Sequence, residues 1–509
     1  APASMSPSIE VPQEYAQTHW SRAAALVELV RSRLEGSGPV TAAQLAGSLG
    51  VTEGALMPAL LALEGEGFAL RGSFTEPMLE SPQWCERRLL ARIHRYTLKR
   101  LRQEIEPISQ ADFMRFLFRW HHLDGSEPLM GPQALNAVVE QLAGFIAPAA
   151  AWEADLLPAR VSDYQPVWLD SACLSGRVIW RRLTTPPKND FTTGSGTGPI
   201  RTTPITLLSR AWASWWQANV PPDPTERPLT PAAQRLAHYL HDRGASFFQD
   251  FVGTLGLLRA QIEEALAELV NKGMVSSDSF AGLRALLAPA PRRSPFKGYK
   301  RRRIASSIED AGRWALVESA RREVYAAGEE ESQGQMAGME TIAWTLLRRY
   351  GVICRQLLER EPALPPWREL LKIYHRLEAR GEIRGGRFVA GMSGEQFALP
   401  EAVGALRDIR RQPKENKLVS ITGADPLNLV GIVIPGVRVP ALLTNRILYR
   451  DGVPIALQLG REVRLLDRGD QHEDEWTLKQ ALIRRSRKGS VYPSTAHKNY
   501  EDRYHAGFF

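Results

Sequence analysis

One local pattern recurs four times along this chain without close sequence identity: a capped helix, a short turn, a second capped helix, then a glycine and a short apolar strand. Two helices, a turn and a strand that enters a hairpin make up the winged-helix plan. In the first copy Thr41 caps a helix running to about Ser48, because its hydroxyl accepts the free amides of the first turn. Gly50 makes the turn and Thr52 caps the next helix, in which Leu56, Leu60, Leu61 and Leu63 follow helical spacing. FALRGSF then reads as a strand. The second copy runs from Ile108 through PLMGPQALNAVVEQL to VIWRRL. The third has Thr230 as cap and Gly273 as stop. In the fourth, PPWRELLKIYHRLEARG places proline at the helix start and Gly381 at its end. After Gln412 the period changes: KLVSITGADPLNLVGIVIP, NRILYRDGVPIALQLG and REVRLLDRG alternate or run apolar between DG and PG turns, as strands do. The expected fold is mainly α with β wings, tandem winged-helix modules followed by a small antiparallel β-barrel or sheet.

At 509 residues the chain exceeds what one core holds. Turn-rich stretches at 184–204, 221–231, 289–297, 327–338 and 411–416 mark breaks. They give winged helix one over 1–83, a basic connecting helix over 84–107, winged helix two over 108–183 and a linker over 184–204. Winged helix three follows over 205–290, then a basic linker and connecting segment over 291–337. Winged helix four takes 338–411, the β-barrel 412–470 and a tail 471–509.

No segment approaches the ~18 to 20 apolar residues needed to span a bilayer, so no membrane partner is expected. The opening APASMSPSIEVPQEY lacks the parts of a signal peptide and reads like the middle of a longer polypeptide. Cys85, Cys173 and Cys354 are odd in number and far apart, which argues for a reducing compartment and against a disulfide or metal framework. A cytoplasmic, nucleoid-associated protein is the expectation. The net charge of +8 is modest for this length, so it supports a polyanionic partner only where it is concentrated.

Two places concentrate it. In the fourth module Leu370, Ile373, Tyr374 and Leu377 turn inward. That leaves Arg368, Lys372 and Arg376 on the outer face, with Arg380 at the helix end and Arg384 and Arg387 in the wing. PRRSPFKGYKRRR adds Arg292, Arg293, Lys297, Lys300, Arg301, Arg302 and Arg303 with no acid. Phe296 and Tyr299 interleave, which suits backbone neutralisation and base stacking. By contrast, Glu53, Glu64 and Glu66 in module one and Glu263, Glu264 and Glu268 in module three would set carboxylates against phosphates. Those helices are expected to pack on neighbours or partner subunits. The Trp84–Ile108 helix is basic but diluted by Glu86, Glu104 and Glu106, and reads as a strut. Trp212, Trp215 and Trp216 at helical spacing read as core. His121 and His122 diverge by ~100° around a helix and form no metal site.

Several blocks resemble one family, the Lhr (large helicase-related) bacterial DNA helicases. They are WCERRLLARIHRYTLKRLRQEIEPISQADFMRFLFRWHHL, FIAPAAAWEADLLPARVSDYQPVWLDSACLSGRVIWRRL, GRWAL, GGRFVAGMSGEQFALPEAV and ADPLNLVGIVIPGVRVPALLTNRILYRDGVPIA. They cover just over a quarter of the chain, in family order. The resemblance implies the C-terminal region of an ATP-dependent 3′–5′ helicase of DNA repair. It also implies single-stranded or forked DNA, the helicase's own motor and further copies of this chain as partners. ATP and magnesium belong to that motor. A phosphate-wrapping loop ends in GK[ST], and no Gly-Lys pair occurs in this sequence, so no cofactor is expected here.

Winged helices before a β-barrel also resemble the AlkZ-type DNA glycosylases, whose Gln-x-Gln or Gln-x-Asp motif positions water. Gln333-Gly334-Gln335 matches only in an acidic linker and reads as coincidence. If the barrel is catalytic, Asp425 in TGADPLN, beside Pro426 and Asn428, is the best carboxylate to activate water on a uracil- or alkyl-base-bearing nucleotide. Its alternative is an ordinary Asp-Pro turn. A stand-alone transcription regulator is a third class, disfavoured because no ligand domain is present.

Overall fold

Thr41 is the N-cap of the helix it precedes: its hydroxyl accepts from the Gln44 amide at 3.2 Å, and the Gln44 side chain accepts from the Thr41 amide at 2.9 Å. The computed structural model describes residues 19–75, 81–103, 106–183, 202–218, 229–287, 308–310, 312–317, 329–466 and 475–483. It divides into two units, Ala1–Glu104 and Ile105–Phe509. In the first, helix α1 (Arg22–Gly36) leads to β1 (Val40–Thr41), α2 (Ala42–Leu49) and α3 (Glu53–Gly65). The hairpin β2 (Ala69–Gly72) and β3 (Gln83–Glu86) comes next, and α4 (Arg87–Gln103) ends the unit. The sheet order is β1-β3-β2, and Leu34, Leu45, Leu56, Leu60, Leu63 and Trp84 fill the core.

The second unit opens with α5 (Gln110–Trp120), β4 (Leu129–Met130), α6 (Gly131–Gln141) and β5 (Ala147–Pro148). A helical stretch through Leu157–Arg160 then leads to β6 (Val161–Ser162), α7 (Pro166–Leu174), β7 (Val178–Arg181) and β8 (Pro204–Ser209). Its three-stranded sheet runs β5-β8-β7, while β4 and β6 form a parallel pair. The next module comprises α8 (Pro231–Arg243), β9 (Ser246–Phe247), α9 (Phe248–Leu255), α10 (Arg259–Asn271), β10 (Val275–Ser277), α11 (Phe280–Leu287) and β11 (Arg313–Leu316), in the order β10-β11-β9. The last comprises α12 (Glu329–Tyr350), β12 (Val352–Cys354), a 3-10 segment Arg355–Arg360, α13 (Trp367–Ala379), β13 (Arg384–Gly386) and β14 (Gln396–Ala398), in the order β12-β14-β13. Helix α14 (Pro400–Arg411) follows. All four modules are winged helices, and in each the last strand in sequence lies between the other two.

That strand order moves several boundaries. The stretch expected as a linker over 184–204 runs between β7 and β8 of one sheet, so module two ends at Ser209 and not at 183. Residues 288–307 likewise fall between β10 and β11, which pair through Val275–Leu316 and Ser277–Trp314. Module three therefore closes at Leu316. The expected linker over 327–338 lies instead largely within α12, which includes Gln333–Gln335. Helix α5, expected to start module two, packs on module four. Ile108 exchanges backbone hydrogen bonds with Phe388 and Ala390 at 2.9 and 2.8 Å, and Phe113, Phe116 and Leu117 share a core with Leu406 and Ile409.

Beyond residue 412 the described strands form an antiparallel meander: β15 (Leu418–Thr422), β16 (Arg446–Arg450), β17 (Val453–Leu459) and β18 (Glu462–Leu465), in that order, with α15 (Glu475–Ile483) against it. The apolar run after Thr422 was expected to continue as strand. Among residues 423–434 it is instead a buried series of turns, held by the Asn428 amide donating to Gly423 and Val439 carbonyls at 2.8 and 2.9 Å. Trp216 is core, as its spacing predicted, and Trp215 is half-buried against Gly338, where a larger residue would collide with the indole. Trp212 is exposed. Among the described residues no single helix is long and apolar enough to cross a membrane.

Candidate nucleic-acid interface

Helix α13 occupies the second-helix position of module four, and its amphipathic spacing fixes which side chains face out. Leu370, Ile373, Tyr374 and Leu377 are buried, leaving Arg368, Lys372, Arg376 and Arg380 exposed. Glu369 sits among them, accepting from Lys372 at 2.9 Å and Arg368 at 3.3 Å, and the Lys372 ammonium holds its carboxyl below the usual range. Arg380 is drawn to Glu340 and Glu382, each at 2.5 Å. Its charge is largely answered within the protein, whereas those of Arg368 and Lys372 share one carboxylate.

The wing exposes basic side chains as well. Arg384 lies in β13 and Arg387 just beyond it, both exposed. Gln396, 1% exposed at the start of β14, fixes the turn between them: its carbonyl accepts from the Phe388 and Val389 amides at 2.9 Å and its amide donates to Val389. Gln83 performs the same task at the start of β3, accepting from Phe74 and Thr75. A glutamine opening the middle strand is thus a repeated wing staple, a signal present in the sequence and not read from it. Arg292, Arg293, Lys297, Lys300, Arg301, Arg302 and Arg303 lie outside the described residues.

The acidic helices separate on inspection. Glu53 and Glu64 are exposed, and Glu66 pairs with Arg31 at 2.6 Å. Glu264 is exposed, but Glu268 is buried and accepts from the Thr230 amide at 3.0 Å and hydroxyl at 2.6 Å, so it secures the start of α8 and faces no solvent.

Asp425 is 2% exposed. Its two oxygens accept from Arg160 Nη1 and Nη2 at 2.9 and 3.0 Å, a bidentate pair. Arg160 Nε donates to His121 Nδ1 at 3.2 Å, and His121 Nε2 in turn donates to the Arg349 carbonyl at 2.7 Å. Arg349 pairs with buried Glu361, which also accepts from Tyr350 at 2.9 Å. This buried network ties α5, module two, module four and the meander together. His122 instead sets its Nδ1 3.0 Å from the Glu127 carbonyl, and among the described residues no cluster could hold a metal ion.

His121 makes the network sensitive to acid. Burial, reinforced by the Arg160 charge, holds its pKa well below the ordinary value, so the folded protein keeps it neutral. An unfolded histidine protonates below about pH 6.5, so the unfolded state alone takes up that proton and stability falls as pH falls. This residue should account for about 1.4 kcal/mol of lost stability between about pH 7.5 and 5.5. Denaturant unfolding at both pH values, compared with His121→Gln, measures it; equal losses in the two proteins would contradict the linkage.

Two family models, each described as large helicase-related protein, winged-helix domain, match residues 108–197 and 332–418. A Lhr helicase/probable uracil glycosylase of Mycolicibacterium smegmatis is 28% identical over 457 residues, covering 85% of this chain. A Lhr helicase/uracil glycosylase of Escherichia coli is 26% identical over 482 residues, covering 87%. The chain spans 28% and 29% of the length of these two relatives, respectively.

Proposed function

We propose that this chain, a winged-helix region of the large helicase-related (Lhr) type, is a DNA-binding and assembly region for an ATP-dependent helicase of DNA repair. Its module four holds single-stranded or forked DNA. The observation that carries the reading is that the second helix and the wing of one module both expose basic side chains, the two elements a winged helix brings to a duplex or strand. ATP and magnesium would serve the motor of the whole protein, whose activity this region assists. The exposed carboxylates Glu53, Glu64 and Glu264 suit contacts with that motor or with further copies of the chain better than contacts with phosphate.

Each phosphate neutralised contributes about 0.7 to 0.9 to the log–log salt slope of binding. Changing Arg368, Lys372 and Arg376 together to Ala is expected to flatten that slope by about two to three units, with weaker binding on every sequence. Ala is the best helix former and these positions face solvent, so the fold should hold. Salt-titrated anisotropy on a short strand is the measurement, and an unaltered slope would place the DNA on another surface.

A second reading, release of uracil from DNA, is favoured by the names of both relatives. In it Asp425 would be the water-activating carboxylate, and Arg160 would have to give up the pair described above. The test is base release from a uracil-bearing strand, read together with folding of the Asp425→Asn protein.

A further inference from the structure

Helix α4 carries seven Lys or Arg residues over Arg87–Gln103 and no acid. Arg88, Arg92 and Arg95 are spaced four and three apart, which places them along one stripe of a helix about 25 Å long. Arg88, Arg92 and Arg95 are exposed. The nearest acid does not answer them. Glu86 is buried, and its two oxygens accept from the backbone amides of Arg88 and Leu89 at 2.8 and 2.5 Å, so its charge is spent on the free amides of the first turn. Among the described residues no carboxylate pairs with Arg88 or Arg92. Arg95 Nε donates to the Ala91 carbonyl of its own helix, 3.4 Å away.

Like charges at this spacing destabilise an isolated helix, and among the described residues no carboxylate offsets those of Arg88 and Arg92. Beside the stripe Tyr96 is 68% exposed, an aromatic ring largely open to solvent. A row of guanidinium groups flanked by an exposed aromatic is the combination that tracks a single strand: phosphates along the row, a base on the ring.

We propose that α4 is a second nucleic-acid site, binding the phosphodiester backbone of a single strand along Arg88, Arg92 and Arg95 and stacking a base on Tyr96. It rests on the reading that the chain binds DNA, and it adds a surface in a different unit from α13.

The full chain is titrated with a fluorescent oligo-dT at several salt concentrations. Changing Arg88, Arg92 and Arg95 together to Ala, or to Gln to retain side-chain bulk, is expected to flatten the slope by about two units. Combination with the α13 triple change is expected to flatten it by about four. Tyr96→Ala is expected to weaken binding about tenfold with no change in slope. Circular dichroism should show unchanged helix content in each variant. If the α13 variant loses slope and both α4 triples keep it, this site is wrong and the module-four reading stands. If the parent chain does not bind oligo-dT, both fall together. If the α4 triples keep the slope but lose retention on a polyglutamate probe, the occupant is an acidic protein surface and the proposal is overturned.

Discussion

Replacing Arg160 by Ala is expected to destabilise the second unit by about 3–5 kcal/mol, the cost of leaving a buried carboxylate without its partner. Arg160 is 0% exposed and donates inside the protein to both Asp425 oxygens, to His121 and to the Leu156 carbonyl, among others. None of these acceptors can turn to water once the guanidinium is gone. Asp425→Asn attacks the same pair from the other side, because it leaves the guanidinium charge uncompensated in the same dry interior. Pairing Arg160→Leu with Asp425→Leu should recover much of the loss, since two apolar groups leave no orphaned charge. The measurement is denaturant unfolding of all four proteins. An Asp425→Asn protein with an unchanged midpoint would show that the pair carries little of the fold. The same data bear on uracil release: lost activity identifies Asp425 as a reacting group only in protein that is still folded.

The second large effect is expected at Gly452, in the turn between β16 and β17. Its φ is +83°, in the region L side chains avoid, and a Cβ there would overlap the Ala111 carbonyl of α5, which is backbone and cannot swing aside. Left-handed strain of about 1–2 kcal/mol adds to an overpacking cost of about 1–3, so Gly452→Ala should cost about 2–5 kcal/mol. Gly381 separates the two contributions. Its φ is +77° with open space around it, so Gly381→Ala should show the backbone cost alone, about 1–2 kcal/mol. Equal losses at the two sites would mean that the turn does not press on α5 in solution.

What local chemistry decides was legible before any coordinates. Thr41, Thr52 and Thr230 cap the helices that their hydroxyls announced, and Gly273 and Gly381 adopt positive φ at the stops. The outer face of α13 followed from the apolar spacing of Leu370, Ile373, Tyr374 and Leu377. The β8 and β11 strands were missed because each returns to its sheet after a long polar stretch, and nothing in PITLLS or RWAL says which sheet it completes. Glu86 and Glu268 were counted as surface charge, although each is buried and spent on a helix start. The Arg160–Asp425 pair joins positions 265 residues apart, and no periodicity carries information over that distance.

The strand order has a consequence in time. In every winged helix here the middle strand leaves the ribosome last, so the two outer strands wait with nothing to pair against. Arg160 repeats this on a larger scale, being made 265 residues before the carboxylate that neutralises it. At roughly 5–20 residues per second, synthesis leaves this guanidinium without Asp425 for roughly 15–50 s. During that interval α5 must remain soluble without the module-four and meander residues that complete its core, a demand that nascent-chain chaperones answer. The second unit should therefore be released from them as one body, after the meander emerges, and not module by module.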